Sequence, residues 1–221
     1  MAPRERPVID PAGLPAVGVA AVPALVAAAA RRPRLGLALA ALPLEVAAFF
    51  RDPDRRVDRW PADPHEILAP ADGRVMHAGV PQAGVAPDGD WLQVAIFLSA
   101  FDVHINRSPA SGVVRDVTYH PGRWLAAFSA ASAVENERSE IHLTSVVDGV
   151  ARPVVYRQVV GLLARRIVTR VRPGQTVLAG ERIGLMKFGS RMDVFVPTDC
   201  TLHVARGDRV VAGETVIARW S

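Results

Sequence analysis

The sequence predicts a mainly β (α+β) fold, a β-sandwich or barrel-sandwich-like domain with pseudo-symmetric half-motifs, preceded by an N-terminal apolar helical hairpin. The half-motifs are residues 171–183 and 204–216, which lie 33 positions apart and share the pattern V-x-x-G-x-x-V-x-x-G-E-x-[IV]. Glycines three residues either side of a valine suit tight turns between short strands, because glycine enters positive φ at little steric cost. Two copies of such a unit indicate a small sandwich with internal symmetry.

The N-terminal region contains two apolar runs, residues 11–30 without a charge and residues 35–50 with only Glu45. A bilayer crossing takes about 20 apolar residues, so the first run barely reaches that length and the second falls short. Three prolines weaken the runs as helices, namely Pro15, Pro23 and Pro43. We therefore expect a helical hairpin that lies in or dips into the membrane, with the arginines between the runs facing headgroups. Two buried helices of a soluble protein are the alternative.

The chain is basic, with 26 Lys+Arg against 22 Asp+Glu and a formal net charge of +4. Lys187 is the only lysine, so arginine carries almost all of the positive charge. Arginine suits phosphates in lipid headgroups or nucleic acid, although a coding bias towards arginine accounts for part of this composition. The sequence has neither a basic cluster interleaved with aromatic residues nor a zinc-ligand spacing. This favours lipid over nucleic acid and predicts no metal site.

Beyond the N-terminal region the hydrophobic pattern is that of strands. Residues 67–77 predict two strands joined by a tight Asp-Gly turn, and residues 91–99 predict a buried strand. Three more strands are expected, at residues 113–119, 141–147 and 154–160. The loop 120–138 is longer than a hairpin needs, which suggests a lid or binding loop. We therefore divide the chain into a membrane-associating helical region, 1–59, and a β domain, 60–221.

The connection between the two half-motifs contains Gly189-Ser190. Apolar residues bracket the pair, with Phe188 on one side and the alternating Met192 and Val194 on the other, so it interrupts strand-like sequence. A surface turn is the simplest explanation of a Gly-Ser dipeptide, but loops on rigid β scaffolds often carry function. The pair is therefore the first candidate for a functional site.

Four separated motifs occur in the order found in one enzyme family. They are A-P-A-D-G at 69–73, F-D-V-H-I-N-R-S-P at 101–109, E-N-E-R at 135–138 and F-G-S-R at 188–191. With them the chain resembles the phosphatidylserine decarboxylase proenzymes, specifically their short bacterial branch, from about Phe49 to the C-terminus. The resemblance implies a pyruvoyl-dependent carboxy-lyase that converts phosphatidylserine to phosphatidylethanolamine and CO2.

The resemblance also implies that the enzyme makes its own cofactor from Ser190. The Ser190 hydroxyl attacks the Gly189 carbonyl and turns the peptide bond into an ester, after which a base removes the Cα proton of Ser190 and the Gly189 carboxylate departs. The dehydroalanine left behind hydrolyses to a covalent pyruvoyl group (pyruvate) with loss of ammonia. The chain is thereby cut into a β chain, 1–189, and an α chain, 190–221. In turnover the pyruvoyl ketone forms a Schiff base with the substrate amine and accepts electrons from the departing carboxylate.

Asp72 and His104 are the other catalytic residues that the resemblance supplies. In longer members an Asp at the position of Asp72 orients a His that activates the serine, as in a triad. Those members carry two histidines spaced i, i+3, whereas here only the first is present, as His104, and Arg107 stands where the second would be placed. Either His104 is both the processing base and the acid that protonates the product, or another group is the base. The other candidates are His77, His120 and His142.

The resemblance also implies partners and a location. For the substrate phosphate the candidates are Arg107, Arg123 and Arg138. The expected partners are phosphatidylserine in an anionic membrane and the protein's own cleaved α and β chains, without nucleic acid, and a homo-oligomer is left open. The expected location is the cytoplasmic side of the bacterial cell membrane, as a peripheral or monotopic protein.

A different class of protein also fits part of the sequence. Paired half-motifs with a lysine between them are typical of biotinyl and lipoyl carrier domains, and the run M-K-F around Lys187 resembles a biotin acceptor. A carrier domain would account only for residues 170–221 and gives no role to the upstream motifs. A non-enzymatic membrane-bound β domain, with Gly189-Ser190 as a plain turn, is the third hypothesis.

Overall fold

A computed structural model describes residues 8–55, 57, 62–162, 166–187 and 189–221. The chain forms two compact units, Met1–Pro53 and Asp54–Ser221. The domain boundary predicted between residues 59 and 60, and Phe188 beside the Gly-Ser pair, lie outside the described residues. Every strand within the described residues belongs to the larger unit.

The N-terminal unit is helical, as predicted. A 3₁₀ turn, Pro11–Gly13, leads into α1 (Leu14–Ala29), and α2 (Pro33–Leu39) and α3 (Ala41–Phe49) follow. Both α2 and α3 contact α1, so the two apolar runs form a helical hairpin. The second run is two helices instead of one.

The break between α2 and α3 has a cause in the sequence. Pro43 has no N–H, and its ring would clash with the carbonyl of Leu39 inside a continuous helix. In the structure α2 ends at Leu39, which leaves Pro43 in the first turn of α3, where the missing N–H costs nothing. The proline therefore shortens the helix without disturbing the hairpin.

The stretch Pro11–Ala29 is 19 residues long and is, among the described residues, the one helix that could cross a membrane by length and composition. Only 11% of its most apolar window is buried, and large apolar side chains such as Val19 and Leu25 are exposed. Exposed apolar surface of this kind is consistent with membrane association.

The larger unit consists of short antiparallel strands. In chain order they are β1 (Glu66–Leu68), β2 (Gly73–Gly79), β3 (Trp91–Leu98), β4 (Ile105–Arg107), β5 (Gly112–His120), β6 (Arg138–Val147), β7 (Val150–Val159), β8 (Ile167–Thr169), β9 (Thr176–Val177), β10 (Arg182–Met186), β11 (Ser190–Pro197), β12 (Thr201–Leu202), β13 (Arg209–Val210) and β14 (Val216–Arg219). Within the described residues they form one long sheet, β13-β2-β3-β11-β7-β6-β5-β9, and two short ones, β1-β14-β12 and β4-β10-β8. A single helical turn, α4 (Ser132–Glu135), lies in the predicted lid loop. The mainly β fold class is confirmed.

The main apolar core takes side chains from the long sheet and from both short sheets. Ile96 and Val194 contribute from the long sheet, and Ile67 and Ile183 contribute from the two short ones. All four side chains are fully buried. The alternating apolar residues after Ser190 thus point into this core, which fixes the strand that begins at the candidate site.

The predicted hairpin at residues 67–77 is wrong. β1 pairs with β14, whereas β2 pairs with β3 and β13, so the two strands belong to different sheets. Asp72 Oδ1 accepts the Ala212 N–H at 2.8 Å, so it binds a distant segment and does not close a turn. A Cβ on Gly73 would lie 2.1 Å from the Phe97 carbonyl oxygen. The Asp-Gly pair therefore marks a corner where the chain passes closely under β3.

The internal symmetry predicted from the half-motifs covers the whole β unit. β10 pairs with β8 and β4 just as β14 pairs with β12 and β1, and β9 and β13 each end the long sheet. Equivalent strands follow in the same order from either end of the long sheet, and β11 and β7 lie side by side at its centre. The strands β1, β2 and β3 therefore correspond to β4, β5 and β6, and β11 corresponds to β7.

Candidate active site around Gly189 and Ser190

Ser190 is the first residue of β11, which pairs along its length with β3 and in part with β7. It lies opposite Leu98 and is fully buried. Its Oγ has no hydrogen-bond partner among the described residues. Because a buried hydroxyl normally finds a partner, this one is a candidate for chemistry.

Gly189 turns the chain into β11 with a φ of 63°, a left-handed conformation that favours glycine. A Cβ at this position would meet nothing within 4 Å, so glycine is favoured here by the backbone conformation and not by a lack of space. The Gly189 carbonyl oxygen, in contrast, is closely packed. A Cβ built on Gly161 would lie 1.9 Å from it. The bare Cα of Gly161 therefore lies directly against the carbonyl that Ser190 would attack.

His104 lies on the other side of the same residue. Its side chain is buried, its Nδ1 is 2.9 Å from the Asp102 carbonyl oxygen, and the Gly189 N–H donates to its Nε2 at 3.3 Å. Since an amide nitrogen can only donate, Nε2 is the acceptor, and the ring proton is assigned to Nδ1, which donates to Asp102. The imidazole is thus neutral, with its lone pair turned towards the residue before Ser190.

Asp102 fixes the carbonyl that orients His104. Its Oδ2 accepts the Ser99 N–H and hydroxyl at 2.8 and 2.6 Å, and its Oδ1 accepts from Arg209 at 2.8 Å. These bonds close the turn between β3 and β4 and hold the backbone of Asp102. The sequence patterns predict no role for Asp102, although its position two residues before His104 is a signal that could have identified it.

Asp72 has different partners from those of a triad. Arg55 donates to both its carboxylate oxygens, at 2.9 and 2.7 Å, and the Ala212 amide donates to Oδ1. The group that orients His104 in this structure is the Asp102 carbonyl. A role of Asp72 in processing therefore stays a prediction, and it would act through the Arg55 pair.

The three arginine candidates lie in different surroundings. Arg107 is buried and donates to the Gly180 carbonyl at 2.8 Å. Arg123 forms an exposed ion pair with Glu135. Arg138 donates to the Val134 carbonyl and lines a cavity of about 550 Å³ on the outer face of β6 and β7. The structure does not bring the three together.

The alternative histidines also have other partners. His77 Nε2 is 2.7 Å from the Val80 carbonyl, and His142 Nε2 is 2.7 Å from Glu140. His120 lines the same cavity as Arg138, and its pKa is lowered by burial and then by the nearby Arg138 charge. Among the four candidates, His104 is the one that the structure shows in contact with Gly189.

Exposed apolar side chains directly adjoin, in the sequence, residues at or beside the site. Phe101 directly precedes Asp102 and is 89% exposed, and Leu162 directly follows Gly161 and is 65% exposed. Phe128 is 73% exposed and follows Ala127. A Cβ built on Gly161 would lie 3.1 Å from the Cβ of Ala127. Three segments at or beside the site thus each carry a large exposed apolar side chain.

Comparison with known proteins places these observations in a family. The profile described as "Phosphatidylserine decarboxylase" matches residues 44–218. A protein named phosphatidylserine decarboxylase proenzyme from Symbiobacterium thermophilum is 46% identical over 219 residues, 99% of each chain. Proteins of the same name from Desulfotalea psychrophila and Erythrobacter litoralis are 38% and 42% identical, covering 94% and 96% of this chain and 94% and 88% of their own lengths.

The chain is therefore an enzyme of the carboxy-lyase class. More specifically, it belongs to the phosphatidylserine decarboxylase family. The match begins far upstream of residue 170, so it covers the motifs that a carrier domain leaves unexplained. Met186 in the acceptor-like run is fully buried at the end of β10. The family membership replaces both the carrier and the non-enzymatic interpretation.

Proposed function

We propose that the chain is a proenzyme that cuts itself between Gly189 and Ser190 and uses the resulting pyruvoyl group to decarboxylate phosphatidylserine. The observation that carries this proposal is the buried Ser190 Oγ, which has no partner among the described residues. It lies in a strand whose preceding residue is contacted by His104 and packed against Gly161. These residues fit a hydroxyl that is consumed in processing and does not serve the fold.

The first step exchanges an amide for an ester. Ser190 Oγ bonds to the Gly189 carbonyl carbon, the bond from that carbon to the Ser190 nitrogen breaks, and the hydroxyl proton ends on that nitrogen. The left-handed Gly189 bends the chain at this point, and Gly161 holds the carbonyl oxygen on one side. Both features fix the carbonyl relative to the serine.

The second step breaks the bond between Ser190 Cβ and Oγ. A base takes the Cα proton, the electron pair forms the Cα–Cβ double bond, and Gly189 leaves as a carboxylate. The enamine gains a proton at Cβ, and water replaces the nitrogen, which leaves as ammonia. One water is consumed in the whole sequence and one ammonia is released, so the ketone needs no oxidant.

Cleavage leaves the new N-terminus in place. β11 stays paired with β3 and β7, and next to the cut Arg191 and Asp193 form a buried ion pair at 2.9 Å. Arg191 also donates to Gln82, and Asp193 accepts from Gln93, at 2.8 and 3.0 Å. The α chain is therefore anchored at the residue directly after the pyruvoyl position.

His104 supports both proton transfers that the reaction needs. The pyruvoyl group supplies an electron sink for the substrate carboxylate when the substrate amine is bound to it. The neutral imidazole, with Nδ1–H on the Asp102 carbonyl, has its Nε2 lone pair at the site, so it is placed to accept a proton during processing. In turnover the protonated ring is placed to return a proton to the substrate carbon.

A lipid substrate is supported by the apolar groups around the site. Phe101, Phe128 and Leu162 lie next to the residues that pack around Gly189, and all three are exposed. Exposed apolar side chains of this size suit contact with acyl chains or a bilayer surface. The headgroup amine and carboxylate would then reach the buried end of β11.

Membrane attachment through the helical hairpin is part of the same proposal. We expect peripheral or monotopic attachment on the cytoplasmic side, because the arginines between the runs favour anionic headgroups and the helices are short. The full-length protein should pellet with anionic vesicles, and salt should weaken this only in part. Full-length protein that stays soluble without detergent would contradict it.

Mass spectrometry of the purified full-length protein tests the processing. We expect a C-terminal fragment of 32 residues, 190–221, with a blocked N-terminus and a mass lower by one ammonia than simple hydrolysis leaves. Ser190→Ala should remain one chain. Cleavage of Ser190→Ala at the same position would refute the proposal.

A further inference from the structure

Gly161 is buried and lies two residues after the end of β7, the strand that pairs with β11. A Cβ built on it would lie 1.9 Å from the Gly189 carbonyl oxygen and 3.0 Å from the carbonyl carbon. Such distances are far inside van der Waals contact, so every residue other than glycine would push this carbonyl away. The hydrogen that glycine carries in place of Cβ points at the oxygen, in the manner of a weak C–H···O contact.

The segment that carries Gly161 is fixed by Asn136, from the E-N-E-R motif. Asn136 is fully buried, and its Nδ2 donates to the Val160 and Leu125 carbonyls, both at 2.8 Å. Its Oδ1 accepts the Leu125 N–H at 2.8 Å. The Val160 N–H donates to the Glu137 carbonyl at 3.1 Å. One amide side chain thus ties the loop at Leu125 to the residue directly before Gly161.

We propose that the Gly189 carbonyl oxygen is positioned by packing on the Cα of Gly161, a contact surface that we call the seat, and that Asn136 holds the seat in place. Both Gly161 and Asn136 are then positioning residues for self-cleavage. The inference rests on the proposed function and names residues that act on its first step. Attack by Ser190 needs the carbonyl face aligned with Oγ. A displacement of about 1 Å at a reacting group can cost on the order of 100-fold in rate.

The seat also restricts how the carbonyl can move. Gly189 has a left-handed φ and open space on its Cβ side, so nothing on that side fixes its carbonyl. The contact with Gly161 and the bond from the Gly189 N–H to His104 are contacts that hold this residue. Removing the first frees the carbonyl to rotate while Ser190 stays in β11.

The first test compares Gly161→Ala with Gly112→Ala in the full-length protein. A Cβ at Gly112 would lie 2.4 Å from the Thr144 carbonyl oxygen, so this control creates a clash with a backbone carbonyl elsewhere in the long sheet. Neither glycine has a positive φ, so neither substitution adds backbone strain of that kind. Cleavage is followed by gel and mass spectrometry in newly made protein, and the melting temperature is measured for each variant.

We expect Gly161→Ala to slow cleavage by about 100-fold, and Gly112→Ala to cleave within about threefold of wild type while losing stability. The pH profile of the slowed reaction should keep its wild-type midpoint, since the seat moves no proton. Wild-type cleavage in Gly161→Ala, equal slowing in Gly112→Ala, or a shifted midpoint would each overturn the inference. Wild-type protein that does not cleave would instead refute the proposed function itself.

The second test keeps glycine at position 161 and removes its support. Asn136→Asp is nearly isosteric but cannot donate to the Val160 and Leu125 carbonyls. Ser132→Ala is the control, because Ser132 is buried in the same loop and the hydroxyl that this substitution removes donates to the carbonyls of Ala127 and Ser129. We expect Asn136→Asp to cleave at least about tenfold more slowly and Ser132→Ala to cleave within about threefold of wild type. Equal rates for the two variants would overturn the role of Asn136.

Discussion

His65 and His104 occupy equivalent positions in the two halves of the β unit, just before β1 and β4, and each lies beside the start of a central strand. His65 Nε2 is 3.3 Å from Asp148, in the hairpin that begins β7, and His104 Nε2 is 3.3 Å from the Gly189 nitrogen at the start of β11. Gly149 and Gly189, which directly precede the two strands, both have positive φ. The backbone of the site is therefore present twice.

The two copies differ in burial and in connection. The Asp148-Gly149 hairpin is exposed and joins β7 directly to its partner β6, and Val150 follows it. At the other copy Ser190 is buried. Its strand, β11, pairs with β3, which ends at Leu98, so the whole other half of the domain lies between these two paired strands in the sequence. The histidine and the left-handed glycine are common to both halves. The serine, its burial and the packed carbonyl belong to the corner at Gly189.

A second pair of equivalent residues, Asp72 and Ser111, distinguishes a contact that stabilises the fold from one that is particular to the candidate site. Asp72 Oδ1 accepts the Ala212 N–H at 2.8 Å, and Ser111 Oγ accepts the Ala179 N–H at 2.8 Å. This shared bond belongs to the fold, because both halves have it. The Arg55 pair of Asp72 has no such counterpart in the sequence of the other half, since serine carries no charge. Any special function of Asp72 must come from its charge.

The strongest test of the comparison transfers the dipeptide. Val150→Ser places a serine directly after Gly149 in the equivalent corner, at a position that is half exposed. We expect no cleavage there, because this hairpin is exposed, so the new serine would not be buried as Ser190 is. Mass spectrometry should show the cut before Ser190 and no fragment beginning at residue 150. A second cut would mean that the fold alone activates a Gly-Ser bond.

The two histidines give the next largest effect. His104→Ala should be at least partly cleaved yet lose about 10²- to 10⁴-fold in turnover per pyruvoyl group, because the proton donor is gone. His65→Ala should keep both activities and lose at most about 0.5 kcal/mol of stability, since its contact with Asp148 is exposed. Cleavage on a gel, pyruvoyl titration and ethanolamine-lipid production separate the outcomes. An uncleaved His104→Ala would show that no other group can replace His104 as the processing base, and a fully active one would remove it from the site.

Much of the fold could be predicted from the sequence, and Gly189-Ser190 could be chosen as the candidate site. The half-motifs repeat locally, and the apolar alternation after Ser190 predicts a buried strand, so the strand content and the buried position of Ser190 follow from patterns along the chain. The contacts of Asp102, Asn136 and Gly161 could not be predicted in this way. Each depends on which segments meet across sheets, and a glycine with an ordinary φ gives no local sign that a distant carbonyl packs on it.

The hairpin error at residues 67–77 has the same origin. An Asp-Gly pair between strand-like segments has the composition of a tight turn. Here the aspartate bonds to Ala212, more than a hundred residues away, and the glycine passes under Phe97. The turn predicted from this local composition is wrong because the contacts that fix Asp72 and Gly73 come from segments distant in sequence.

Asp72 and Ser111 provide a smaller test. Asp72→Asn keeps an acceptor for the Ala212 N–H but removes the charge that binds Arg55. We expect cleavage about tenfold slower, the order of one lost charged hydrogen bond, with turnover per pyruvoyl group little changed. Ser111→Ala should cost about 1 kcal/mol of stability and leave cleavage unchanged. Equal effects on cleavage would mean that the shared fold bond matters and the Arg55 pair does not.

The smallest effect distinguishes the two left-handed glycines. Gly149→Ala and Gly189→Ala should each cost about 1–2 kcal/mol from left-handed strain, since neither added Cβ meets an atom within 4 Å. Cleavage frees Gly189 as a chain terminus and removes the strain there, while Gly149 stays inside its hairpin. Gly189→Ala should therefore lower the melting temperature only in uncleaved Ser190→Ala protein, and Gly149→Ala should lower it in cleaved and uncleaved protein alike. Because the open side of Gly189 admits a methyl group, Gly189→Ala should still cleave within about threefold of wild type, far faster than Gly161→Ala at about 100-fold slower. A melting temperature lowered by Gly189→Ala in cleaved protein would contradict this. It would show that residue 189 keeps its left-handed conformation after the cut, as Gly149 does in its intact hairpin.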